Sequence, residues 1–137
     1  MIQAAYQLIV ALANHDTAVL DTTLAANAYL QVQGNDRMQI YWTRPRVRAA
    51  LLADFARWEN PTLKIGDITP LCRSVTVTYR IEVMENGRPV THERFAMLIL
   101  NKGQVETIIL YCYDEVICVP AGVWSLSFPS ECGYRIA

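Results

Sequence analysis

The chain has 137 residues, 53% of them apolar, and its 12 basic and 13 acidic side chains leave a net charge of −1. That length suits one domain able to bury most of its apolar surface, and the supply of Leu, Ile and Val argues against disorder. No basic excess marks a nucleic-acid surface, and no apolar run approaches the roughly 18 residues of a membrane span, so neither partner is expected.

From Ile2 to Ala13 apolar residues recur three and four apart, the pattern of a helix buried on more than one side. Leu8 to Ala13 has the greasiness of a signal-peptide core, but no Lys or Arg precedes it and the helical pattern runs on to a capping position. It reads as a structural helix, and a cytoplasmic location is the expectation. Asp16 is placed to cap a second helix bearing Val19, Leu20, Thr23 and Leu24, which Asn27 closes. Tyr29 to Gln33 alternates as a short strand, Gly34-Asn35-Asp36 turns, and Met38 to Trp42 returns. Thr43 is the cap of a third helix with Pro45 in its first turn and an apolar stripe of Val47, Ala50, Leu51, Phe55 and Trp58. Asp54 lies on or beside that stripe, and Asn60-Pro61 ends the helix.

The remainder reads as sheet. Strands are expected over Leu63–Ile68 and Arg73–Met84, the second with Val75, Val77, Tyr79, Ile81 and Val83 on one face and Thr76, Thr78, Arg80 and Glu82 on the other. Asn86-Gly87 is a hairpin turn, because both residues tolerate positive φ. Val90–Leu100 returns, Asn101-Lys102-Gly103 turns, and Val105–Tyr113 is the last long strand. In the tail, Trp124 and Phe128 are expected to pack a short strand or ordered loop. Helices followed by a meander predict a segregated α+β layer fold, one domain over 1–137 with its core in about 1–115 and an extension over 116–137. The four cysteines, Cys72, Cys112, Cys118 and Cys132, show no CxxC spacing and read as free thiols, with a Cys118–Cys132 bridge as the alternative. Two distant histidines and no acidic cluster give no metal-ligand set, and no cofactor is expected.

Several local signatures then fall in a telling order. They are two helices joined through Asn14-His15-Asp16, a helix start at Arg44-Pro45-Arg46-Val47, Tyr79-Arg80-Ile81-Glu82 running into Asn86-Gly87, and Gly103 leading to Ile108-Ile109-Leu110-Tyr111. In this the chain resembles the nuclear-transport-factor-two-like superfamily, which includes ketosteroid isomerases, SnoaL-like polyketide cyclases, limonene epoxide hydrolases and scytalone dehydratases. The resemblance implies a cone-shaped α+β barrel, cystatin-like in outline, whose strongly curved mixed or antiparallel sheet wraps the N-terminal helices around an apolar pocket. It implies a homodimer as well, but no particular reaction.

Laid over this chain, the ketosteroid isomerase pattern puts its base on Val32, its oxyanion tyrosine on Leu8 and its second acid on Ala96, so that apparatus is lost. The limonene-hydrolase pattern finds Arg94 but meets Ala96 and Cys112 where its acids belong. The polar candidates that remain are Asp54, Arg94, His92 and Tyr79. Arg94 and His92 share a strand face: they read as solvated residues at a strand end, Arg94 paired with a carboxylate such as Glu82, or else as a clamp for a ligand carbonyl or carboxylate. Asp54 reads as a carboxylate on the polar edge near Arg57, or, if buried, as an acid or base. His15 reads as a surface or capping residue, and Cys112 as an inert inward thiol.

The pocket lining implied by this arrangement is Leu8, Leu30, Val32, Trp42, Leu51, Phe55, Tyr79, Ile81, Arg94, Ala96, Leu98, Ile108, Leu110 and Cys112. On the opposite sheet face Phe95, Met97 and Ile99 alternate beside Ile109 and Tyr111, too apolar for water, so a second subunit or the tail must cover them. The expected role is binding of a small hydrophobic molecule. The alternatives are an isomerase, dehydratase, cyclase or epoxide hydrolase with an atypical set, and a pure protein-interaction module.

Overall fold

The computed structural model describes residues 2–34 and 37–112. Expectations at Asn35, Asp36 and Tyr113, at Cys118 and Cys132, and for the tail with Trp124 and Phe128 lie outside the described residues.

Helix α1 (Ile2–Ala13) buries Ala5, Leu8, Ile9, Ala11 and Leu12. Asp16 caps α2 (Thr17–Thr23) by accepting the Val19 amide at 3.2 Å. This helix stops short of the expected Asn27. The Thr22 and Thr23 hydroxyls bond back to the Val19 carbonyl at 2.9 and 2.7 Å, and Leu24 turns extended. Leu24 instead opens strand β1 (Leu24–Gln33), where it is fully buried and pairs with Val105. Tertiary pairing overrides helix propensity there.

Strand β2 (Met38–Trp42) returns antiparallel to β1 and leads into α3 (Arg44–Ala56). Thr43 occupies the N-cap position with φ 73°, but its side chain makes no capping bond, unlike the sequence expectation. The helix is tied down by other means. Arg44 Nε donates to the Leu24 carbonyl at 3.0 Å, and Arg48 is ion-paired with Asp21 of α2. Val47, Leu51 and Phe55, four apart, are its buried stripe.

Strands β3 (Thr62–Leu71), β4 (Ser74–Glu85), β5 (Arg88–Asn101) and β6 (Gln104–Cys112) complete the chain as described. The turns fall where glycine allows them, with Asn86 and Gly87 at φ 52° and 75° and Lys102 and Gly103 at 52° and 80°. The sheet order is β2-β1-β6-β5-β4-β3, with β1 and β6 parallel and every other pair antiparallel. Among the described residues it is an open mixed sheet that begins at β2 and ends at β3, rather than a closed barrel.

Register arranges the inner face in rungs. Tyr41, Leu30, Ile108, Leu98 and Val75 form one rung, and Gln39, Val32, Leu110, Ala96 and Val77 the next. The third changes character: Cys112, Arg94 and Tyr79 lie side by side on β6, β5 and β4. His92 and Ile81 follow. The inner face is therefore greasy at its centre and polar towards the β4–β5 hairpin. On the outer face Phe95 pairs with Tyr111 and Met97 with Ile109, forming the apolar row expected there.

Cys72, in the β3–β4 turn, is disulfide-bonded, which corrects the expectation of a free thiol; Cys112 is in no disulfide. Sequence spacing does not display such a pairing, which depends on proximity in the fold.

Candidate functional site

Arg94 is among the largest fully buried side chains, at 0% exposure. A guanidinium in that position needs a partner of opposite charge and good geometry. The partner is Asp54, presented by the last turn of α3. Arg94 Nε donates to Oδ2 at 2.9 Å and Nη2 to Oδ1 at 2.8 Å, a two-pronged pair, while Nη1 donates to the Glu93 carbonyl at 3.0 Å. Arg57, one turn on, donates to the same Oδ1 at 2.7 Å. The Asp54 and Arg57 side chains are 12% and 50% exposed.

Two expectations are corrected here. Arg94 is not a solvated residue paired with Glu82. Glu82 has the outer-face parity and meets Lys64 instead, at 3.2 Å. Nor is Asp54 merely an edge carboxylate: it touches Arg57 as expected, but its carboxylate is also turned inward onto Arg94.

Tyr79, the register partner of Arg94, is 2% exposed and lies parallel to the Phe55 ring at 6.4 Å. Burial pushes its hydroxyl well above the ordinary tyrosine range; the Asp54 charge adds to the effect and Arg94 opposes it. Tyr79 is thus a neutral donor at any physiological pH. Its hydroxyl makes no hydrogen bond with another described residue.

His92 is buried at 7% exposure, so it too departs from the solvated strand end expected. It stacks on Trp58 at 4.4 Å, and its Nε2 lies 3.0 Å from Glu85 Oε1. Trp58 Nε1 donates to that same oxygen at 3.0 Å. The Trp58 ring also carries Arg57 at 4.4 Å and Arg94 at 5.8 Å. Trp58 and Glu85 are the site residues sequence reasoning missed. Trp58 was visible as the end of the α3 stripe, and Glu85 continues the inward parity of Val75 to Val83.

A cavity of about 300 Å³ opens between α3, the β1–β2 pair and the end of β6. Its walls are Leu30, Val32, Gln39, Tyr41, Ala50, Leu51, Ala53 and Leu110, with Asp54, Arg57 and Cys112 supplying polar groups. Of the expected lining, Leu30, Val32, Leu51, Leu110 and Cys112 are in this wall. Leu8, Phe55, Ile81, Ala96, Leu98 and Ile108 belong to the packed core behind it, with Tyr79 and Arg94 in the rung beside Cys112. Trp42 is turned to the outer face, 60% exposed and edge-on to Tyr29 at 4.5 Å. Strand parity decides this, since Tyr41 faces inward and its neighbour must face out. Cys112 is half-exposed beside Asp54, not sealed in apolar surroundings. A second depression of about 460 Å³, between Glu59, Glu82 and Met84, has no buried polar group in its wall. Among the described residues no cluster of His, Cys, Asp or Glu is suited to a metal ion.

An ionised carboxylate offers about four lone-pair positions. Asp54 has committed three, two on Oδ1 and one on Oδ2. One acceptor position therefore remains in a wall that Arg57 and Cys112 share, at the polar end of an apolar cavity.

Three helices against an open six-stranded mixed sheet, with polar groups gathered at one end of its inner face, define an α+β protein of the cone type. The fold is that of the nuclear-transport-factor-two-like superfamily. The chain is similar to a protein of Jannaschia sp. CCS1 assigned as a SnoaL-like polyketide cyclase, at 14% identity over 81% of this chain and 83% of that one, with a TM-score of 0.68. An LEH-like epoxide hydrolase of M. tuberculosis superposes with a TM-score of 0.62 at 16% identity, over 81% of this chain and 80% of the other. A protein designed de novo, from work on diverse pocket structures, gives 0.65 at 15% identity, covering 80% and 96%. At such identities the likeness is one of fold. No family model matches the sequence, and no curated protein matches it.

Proposed function

We propose that the chain binds a small, mainly apolar molecule in the cavity between α3 and the inner sheet face, its polar group directed to Asp54. The observation that carries this is the buried Asp54–Arg94 pair bordering an apolar cavity of about 300 Å³. That volume is at the lower end of small-molecule sites, which combine apolar walls with a few placed polar groups. The pair holds the carboxylate rigidly, as a recognition group must be held. The test is thermal-shift screening against terpenoids, steroids, polyketides and fatty acids. A ligand at about 100 times its Kd is expected to stabilise by about 2.7 kcal/mol; no stabilisation by any class counts against the proposal.

An isomerase, dehydratase, cyclase or hydrolase is the second reading, and one observation favours it: the Asp54 carboxylate stands in the cavity wall beside the Cys112 thiol position, with Arg94 and Tyr79 in the same rung of the sheet behind it. Against it stands the commitment of three lone-pair positions of Asp54 to arginines, which leaves little of the carboxylate for proton abstraction. Binding is preferred for that reason. The proposal also includes a homodimer through the outer-face row of Phe95, Met97, Ile99, Ile109 and Tyr111, of which Met97 is already buried within the single chain; a clean monomer by light scattering at micromolar concentration would remove that part.

A further inference from the structure

We infer that the ligand is polar at both ends, and that the end remote from Asp54 carries an acceptor oxygen, carbonyl or ether, which takes a hydrogen bond from the Gln39 side-chain amide. This rests on the binding proposal and names the class of ligand within it. The first observation is place. Strand parity turns Gln39 and Tyr41 of β2 to the inner face, and both stand in the cavity wall. Their register partners on β1 are Val32 and Leu30, which pair onward with Leu110 and Ile108 of β6. Cys112, also on β6, pairs with Arg94, the residue that grips Asp54. Two strand spacings, about 10 Å, therefore separate the β2 pair from the β6 side of the cavity, and the floor between them is apolar.

The second observation is orientation. The Tyr41 hydroxyl donates to Gln39 Oε1 at 3.1 Å. That bond occupies the amide oxygen and leaves Nε2 with hydrogens to give; Nε2 bonds to no other described residue. Tyr41 is half-buried and packs against the core, so it steadies an exposed side chain in one orientation. A donor held in place loses less freedom on binding than a loose one.

The third is composition. Gln39 and Tyr41 head two inner-face rungs that are otherwise Leu, Ile, Val and Ala. Small-molecule sites pair apolar walls with a few placed polar groups, and here those groups stand on opposite sides of one cavity. Gln39 is the binding residue of the β2 side and Tyr41 its positioning residue.

The experiment measures the affinities of 6-acetyl-2-naphthol and 6-ethyl-2-naphthol by calorimetry on the wild-type chain, on Gln39→Met and on Tyr41→Phe. Both probes carry a hydroxyl for the Asp54 end, and they differ in the carbonyl oxygen at the other. The wild type is expected to prefer the acetyl compound about three- to tenfold, the ordinary worth of one neutral hydrogen bond. Gln39→Met, of similar length but without the donor, should abolish that preference and leave the ethyl compound's affinity unchanged. Tyr41→Phe should reduce the preference without abolishing it. Because Gln39 is exposed, Gln39→Met should melt with the wild type. A preference that survives Gln39→Met, or its absence in the wild type, overturns the inference. So does a Gln39→Met protein that melts markedly lower, since the pair would then brace the β1–β2 hairpin. If neither naphthol binds the wild type, the binding proposal falls for this frame, and the inference falls with it.

Discussion

Arg94 and Asp54, forty positions apart in the sequence, meet through two parallel hydrogen bonds of 2.9 and 2.8 Å, with the guanidinium wholly buried. Removing one partner strands the other charge. Asp54→Ala is expected to destabilise by about 3–5 kcal/mol, the usual consequence of breaking a buried pair. Arg57→Ala, which removes a half-exposed arm from the same carboxylate, should cost less than about 1 kcal/mol. Urea denaturation measures both. Replacing the pair by Leu and Met together should restore much of the stability while abolishing ligand binding.

Tyr79 sets an alkaline limit on stability. Its folded-state pKa is raised, chiefly by burial, above the unfolded value near 10. Below about pH 10 both states hold the proton and the contribution is fully present. Above it the unfolded chain loses protons that the folded chain keeps, so stability falls as pH rises towards the folded value. Tyr111, raised by burial to a lesser extent, acts in the same direction. Denaturation at pH 8, 10 and 11 should show the decline, and Tyr79→Phe should make it shallower. An unchanged slope would place the effect elsewhere.

Trp58 and Glu85 brace the rim. Trp58→Phe keeps the stack on His92 but loses the indole donor to Glu85, for about 0.5–1.5 kcal/mol. Trp58→Ala also removes the ring contacts to His92, Arg57 and Arg94, a further loss of about 1–2 kcal/mol. Glu85→Gln retains an oxygen acceptor and should be milder than Glu85→Ala. Thermal melts of the series provide the check.

Cys112 offers a chemical probe of the cavity. As a half-exposed thiol outside any disulfide and in the cavity wall, it should be alkylated by iodoacetamide under native conditions, read by peptide mass spectrometry, and more slowly when ligand is bound. Alkylation at the same rate with and without ligand would separate Cys112 from the binding site.

Much of this architecture was legible in the sequence because periodicity carries it. Alternation from Val75 to Val83 fixed the inner face of β4, and Asn86-Gly87 fixed the hairpin. Asp16 was readable as a cap because capping is local. The misreadings share a different physics. Leu24 pairs with Val105 instead of extending α2, and Arg94 meets Asp54 instead of Glu82, through contacts that no local pattern encodes. Trp42 was misplaced by one step of strand parity, which reverses a side chain's face. The candidates Asp54, Arg94, His92 and Tyr79 were visible as residue types; that the first two neutralise each other, and that Trp58 and Glu85 frame the third, required the fold.

The central claim is that an apolar molecule lodges between α3 and the β1–β6 end of the inner face. Amide chemical-shift mapping by NMR, titrating the best hit of the thermal screen into the labelled protein, tests it most directly. The account expects shifts concentrated at Leu30, Val32, Tyr41, Leu51, Asp54, Leu110 and Cys112, with little change at Met97 or Ile109 on the outer face. Shifts confined to the outer face, or centred on Glu59 and Met84, would contradict it.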